Sequence, residues 1–211
     1  MHLRVRFESP LHRSDQADYM TYLSIDVLAQ ERISDTPYIV GKIEMEKLHW
    51  FDAQEDGYSL LHVCDADSAG WLEVYEILTE VGKESRLRAD LQLEDFFVHV
   101  FLMHHFLLHP DIEDRVAVLD AAIRATTTND SVVATWHEAP HNTLLTDAEL
   151  AELGFKKIAG SSLIFRDNHF RYKFGDAHPR GRELQFEGNA QRESWLLNHW
   201  NGGQAERTVG L

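Results

Sequence analysis

The sequence predicts an α/β protein of the α+β kind, a mixed, mostly antiparallel sheet with a parallel central pair, flanked by helices. Three observations carry that expectation. Segments before Leu48 alternate apolar and polar side chains with the period of strands that have one wet face. The run Phe96–Leu108 is apolar on both faces apart from its histidines, the composition of a central strand covered on both sides. Behind it come a helical stripe and a further β-rich segment. Strand, helix, strand in so short a compass is a right-handed crossover that sets two strands parallel.

Composition bounds what such a fold serves. The 211 residues, 44% of them apolar, suffice for one domain with a full core. With 35 acidic and 20 basic residues the formal charge is −15, which disfavours a nonspecific nucleic-acid or anionic-membrane surface, so neither partner is expected. Met1–Phe7 lacks the apolar core of a signal peptide, and no uncharged apolar window nears the length of a membrane span. The expected location is the cytoplasm. The single cysteine, Cys64, makes no internal disulfide and no thiolate-rich zinc site, in keeping with a reducing compartment.

Leu3, Val5 and Phe7 alternate with Arg4, Arg6 and Glu8, giving a first strand that ends near Ser9-Pro10. Leu23, Ile25 and Val27 alternate with Ser24 and Asp26 in a second. A turn around Asp35-Thr36-Pro37 leads to a third, where Ile43 and Met45 alternate with Lys42, Glu44 and Glu46. Asp52–Gly57 reads as a connection or short helix end, and Tyr58–Cys64 as either strand or buried helix. Asp65–Ser68 offers capping side chains to a helix whose Trp71, Val74, Tyr75 and Leu78 fall at i, i+3, i+4 and i+7. Lys83–Asp95 is charged and reads as a loop.

The central strand follows, either unbroken or bulged. His109-Pro110 turns the chain, and a helix opens at Asp111 with the stripe Ile112, Val116, Leu119 and Ile123, leaving Glu113, Asp114 and Asp120 toward water. Val132–Trp136 is the next strand. Thr146-Asp147-Ala148-Glu149 is a capping box, in which hydroxyl and carboxylate each satisfy an orphan backbone donor. Leu150 and Leu153 give that helix its apolar side, and Gly154 stops it in the left-handed conformation. Leu163–Phe165 and Phe170–Phe174 read as a terminal hairpin about Asp167-Asn168. One domain over 1–174 is expected, with 175–211 as an appended C-terminal segment.

Several side chains carry two readings. On an unbroken strand His99, His105 and His109 share a face, and imidazoles bind zinc, but their spacing is no zinc signature. Satisfied core or cleft histidines are preferred, and no metal site is assigned. Asp65, Asp67 and Ser68 hold a cation or polar substrate in one reading and cap a helix in the other. Trp71 and Tyr75 form a substrate platform or, sharing a stripe with Leu78, belong to the core. Cys64 as a nucleophile needs a neighbouring base; a structural role is preferred. The amphipathic fragment Trp195–Trp200 must bury its apolar face, on its own domain or in a homodimer.

From Leu23 to Phe174 the order of elements resembles the GNAT acetyltransferase superfamily. Two short matches carry the resemblance: His109-Pro110-Asp111, where that family's central strand turns into its cofactor helix, and Leu153-Gly154-Phe155, the ending of its later helix. The resemblance implies transfer of an acetyl group from acetyl-CoA to an amine on a small molecule or a protein. It also implies a bulged central strand that splays from its neighbour, its backbone at Leu107 and Leu108 holding the pantetheine arm. The turn and helix start at Arg115, Val116, Ala117 and Val118 would cradle the pyrophosphate with N–H groups and the helix dipole. His104 or His105 is then the base that takes the amine's proton, since imidazole titrates near neutral pH.

Two features depart from the family. Its cradle pattern, Arg/Gln-x-x-Gly-x-Gly/Ala, meets Glu113, Val116 and Val118 here, and a carboxylate ~5 Å from a pyrophosphate costs roughly 3 kcal/mol at an effective dielectric of about 20. The tyrosine that many members use to protonate the leaving CoA thiolate is replaced by Leu150. The expectation is a GNAT-fold acyltransferase-like protein with a weakened acetyl-CoA site. The alternative is an inactive member of the fold that binds a protein or metabolite.

Overall fold

A computed structural model describes residues 1–10, 15–31, 36–80, 83, 86–93, 98–139, 142–168 and 186–209, with 202–209 as backbone only. The alternating segments form β1 (His2–Glu8), β2 (Met20–Gln30) and β3 (Pro37–Leu48), paired antiparallel in chain order. Period 2 sets their faces. Leu23, Ile25, Val27, Ile43 and Met45 are buried on one side, while Ser24, Lys42, Glu44 and Glu46 are half-buried on the other. Asp26 belongs to that second side but has no exposed surface, and Arg4, Arg6 and Lys42 all donate to its carboxylate. Burial opposes its ionisation, yet the bonds and charges of Lys42 and Arg4 hold its carboxyl below the ordinary range.

Helices α1 (Trp50–Glu55), α2 (Leu60–Asp67) and α3 (Ala69–Leu78) come next. The segment that reads as strand or helix is helical, because Leu60, Val63 and Cys64 make one buried stripe. Ser68 caps α3 by accepting from the Trp71 backbone N–H, whereas Asp65 and Asp67 lie within α2 and form no cap. Trp71, Val74, Tyr75 and Leu78 are all buried, so the stripe is core. Within the Lys83–Asp95 stretch, Ala89–Leu91 forms a 3-10 turn.

The central strand β4 (His99–Leu108) runs beside β5 (Ser131–Trp136) in parallel register, with α4 (Arg115–Thr126) as the crossover. Helix α4 begins at Arg115 and not at Asp111, because Asp114 takes the N-cap and its carboxylate accepts from the Ala117 N–H at 3.1 Å. The four stripe residues Ile112, Val116, Leu119 and Ile123 are buried, as their spacing requires. Asp120, expected in water, is buried: its carboxylate joins the Arg166 guanidinium at 2.7 Å and Arg124 at 2.7 Å. The tertiary partner Arg166, together with Arg124 one turn along α4, makes that burial tolerable.

The capping box forms as expected at the start of α5 (Asp147–Glu152), and Gly154 has φ +84°. β6 (Lys156–Lys157) pairs with β7 (Leu163–Asp167), which also pairs with β5. Two exposed lysines carry no period, so β6 escaped the sequence. The other arm of the expected hairpin, Phe170–Phe174, lies outside the described residues. Within 175–211 the chain forms α6 (Ala190–Val209), whose Leu196 and Trp200 are buried against Leu107 and Ile39. Its apolar face is therefore covered by its own sheet.

The sheet order is β1-β2-β3-β4-β5-β7-β6. One face carries α4 and α5 over Ile25, Met45, Phe101, Met103 and Val133. The other carries α1–α3 at one end, over Leu48, Val100 and Leu102, and α6 at the opposite end, over Leu107. Between those two helical covers the sheet face is polar. Among the described residues no helix is long and apolar enough to cross a membrane.

Candidate functional site

The site begins with one extra residue. Opposite β3, Glu44 pairs with His105 and Met45 with Met103, so His104 is a bulge in β4. A bulge reverses the in-out parity of everything after it. Phe101 and Met103 point toward α4 before it and Phe106 does so after it. His104 and His105, neighbours that an unbroken strand would place on opposite faces, consequently both line one cleft, with ring centroids 6.4 Å apart. The same reversal separates His99 from His105, and the shared face expected for His99, His105 and His109 does not form. His109 is instead buried at the α6 contact, its ring 4.9 Å from Trp195. Among the described residues no group of three His, Cys, Asp or Glu side chains is placed to hold a metal ion.

The cleft has a volume of about 450 Å³ and is lined by His104, His105, Trp136, Glu138, Ala139 and Ser162. It opens where β4 and β5 part. Their paired register ends at Leu102 and Ala134, and a last link, Thr135 Oγ1 donating to the Met103 carbonyl at 2.8 Å, marks the point of separation. Trp136 forms one wall, its ring 6.4 Å from His104.

Beneath His104 lies a residue that sequence reasoning missed. The Glu46 carboxylate meets His104 Nε2 at 2.7 Å, and the same oxygen, Oε2, accepts from the Trp71 indole N–H at 2.6 Å. Each partner is placed by local structure: Glu46 by the wet side of β3, Trp71 by the Ser68 cap of α3, His104 by the bulge. Burial pushes the Glu46 carboxyl up, but the bonds from His104 and Trp71 and the charge of His104 outweigh it, so Glu46 sits below its ordinary range. A carboxylate holding an imidazole that opens on a cleft is the arrangement of an oriented acid–base group. The sequence signal was the alternation of Glu46 with Met45; a bulge in the central strand was expected from the resemblance, but no residue marked its position at His104.

The edge of β4 beyond the separation is occupied. The Phe106 N–H donates to Asn142 Oδ1 at 3.0 Å, the Thr143 N–H donates to the Phe106 carbonyl at 2.9 Å, and the Leu108 N–H donates to Thr143 Oγ1 at 2.8 Å. The chain's own Asn142-Thr143 pair thus satisfies, in alternating strand-like fashion, the backbone groups that splaying released.

The helix start expected to cradle pyrophosphate is likewise engaged. The Asp114 carboxylate occupies the anion position at the N-terminus of α4. Arg115, the cation expected there, is held by Glu149 through Nε at 2.8 Å and Nη2 at 3.2 Å. The Arg115 bond, joined by those from the Thr146 backbone N–H and hydroxyl, lowers the Glu149 carboxyl to about 2. Val116 and Val118 are buried in the core, and Ala117 spends its N–H on the cap. Leu107 lies under α6, and Leu108 faces the opposite side with Val118 and Ile112. The structure therefore brings His104 and His105 together and distributes the expected cofactor residues among core, cap and ion pair. Cys64 is fully buried in the core and burial pushes its thiol up to about 12, which suits the structural role.

Comparisons with protein-family models, with curated proteins and with solved structures find no match.

Proposed function

We propose that this protein is a ligand-binding module on a GNAT-like framework, taking a small hydrogen-donating cation such as an amine into the His104 cleft without acetyl-CoA. The observation that carries the reading is the closed edge of β4. Asn142 and Thr143 use the very backbone groups, at Phe106 and Leu108, that a pantetheine arm would need. The Asp114 cap and the Arg115–Glu149 pair add to it, since one supplies negative charge where phosphate would sit and the other removes the local cation. The lining of the cleft favours a cation: Glu138 and Trp136 both belong to it, one bringing negative charge and the other an aromatic ring that attracts positive charge.

A second reading, acetyl transfer from acetyl-CoA to that amine, is favoured by the His104 bulge, the parting of β4 from β5 and the His104–Glu46 pair. It requires Asn142-Thr143 to leave the β4 edge. Isothermal titration of the full chain with acetyl-CoA separates the two. Absence of heat at millimolar ligand is the expected result; micromolar binding competed by CoA overturns the first reading in favour of the second.

A further inference from the structure

Hydrogen-bond accounting at Glu46 goes further than the cleft's outline. An indole N–H only donates, and an ionised carboxylate only accepts. Trp71 therefore donates to Glu46 Oε2 at 2.6 Å, and the second group on that oxygen, His104 Nε2 at 2.7 Å, must also bring a proton. We infer that Glu46 is a positioning residue that locks His104 in its Nε2–H form, making Nδ1 the proton-accepting nitrogen that the cleft presents to a ligand N–H or O–H. The chemical class follows: the site selects ligands that donate to a nitrogen lone pair, primary ammonium groups above all, over ligands that only accept. Trp71 is part of the lock because its indole fixes the Glu46 rotamer from the helix side, where the Ser68 cap holds α3 in place. His105, the other histidine of the cleft, lies opposite Glu44 in the β3–β4 register.

The inference rests on the cleft of the proposed function, but the lock is tested apart from it. In the full chain labelled with 15N-histidine, long-range proton–nitrogen NMR at a pH where the His104 imidazole is neutral reads the protonation of each ring nitrogen. The expected pattern is Nε2 protonated and Nδ1 bare, with the Nε2 proton slow to exchange and shifted downfield by its carboxylate partner. Glu46→Leu should abolish that protected proton, and Trp71→Phe, which frees the Glu46 rotamer, should speed its exchange. Where Glu46→Leu fails to fold, Glu46→Gln, which matches the shape without the charge, should move the proton upfield. A Nδ1-protonated ring, or a Nε2 proton unchanged in Glu46→Leu or Glu46→Gln, overturns the lock. Titration with benzylammonium chloride then tests the ligand class: the His104 Nδ1 resonance should move and the Nε2 resonance should hold. A lock that stands while benzylammonium leaves Nδ1 unmoved overturns the ammonium assignment alone, and acetyl-CoA binding bears on neither nitrogen's protonation.

Discussion

Replacing Thr143 by valine keeps the shape of the side chain and removes the oxygen that accepts the Leu108 N–H. Leu108 is 2% exposed, so water does not replace the lost partner. A buried donor left without an acceptor costs about 1–3 kcal/mol. If the cost is felt locally, as detachment of Asn142-Thr143 from β4, about 2 kcal/mol corresponds to roughly 30-fold faster exchange of the Leu108 amide, at about 1.4 kcal/mol per decade. The Leu102 amide, before the separation, should keep its wild-type rate. Amide exchange followed by NMR reads both positions in one experiment. Adding Asn142→Ala strips the Phe106 N–H as well and brings the cost to about 2–6 kcal/mol. A Leu108 exchange rate within about twofold of wild type in Thr143→Val would refute the claim that this pair closes the β4 edge, because a loss below about 0.5 kcal/mol is less than any buried unsatisfied donor costs.

Two further outcomes are expected. Asp120→Ala removes the Asp120 carboxylate from the Arg166 guanidinium, which is 0% exposed, and should destabilise the chain by about 3–5 kcal/mol in urea unfolding; a loss below about 1 kcal/mol would show that the pair does not anchor α4 to β7. Glu149 has its carboxyl lowered from 4.5 to about 2, so its stabilisation is present above pH 4.5 and is lost as pH falls toward 2. Glu149→Gln should therefore be less stable than wild type at pH 7 and converge on it between pH 4.5 and 2. Parallel stability curves through that window would rule out the Arg115–Glu149 pair as the cause.

The residues of the cleft were partly legible. His104 and His105 stood out as imidazoles in an apolar strand, and they do face one cavity. Glu46 did not, because its partner lies 58 residues away and its own segment shows only the ordinary wet side of a strand. The cofactor residues Leu107, Leu108, Arg115, Val116, Ala117 and Val118 were placed by resemblance of element order, and side-chain partners then decided their fate. Arg115 is spoken for by Glu149, 34 residues on, and Phe106 by Asn142, 36 residues on.

By itself the sequence determined the strands β1–β3, the stripe of α4, the capping box of α5 and the parallel pair, because period and capping are written in residues a few positions apart. The tertiary structure alone decided three things. One extra residue at His104 turned two histidines to the same side, and a run that is apolar on both faces gives no sign of where such a shift falls. Asp120 went inside because Arg166 was there to meet it. The open edge of β4 was closed by Asn142 and Thr143, a pairing of distant segments that hydrogen-bond satisfaction enforces only once the chain has folded.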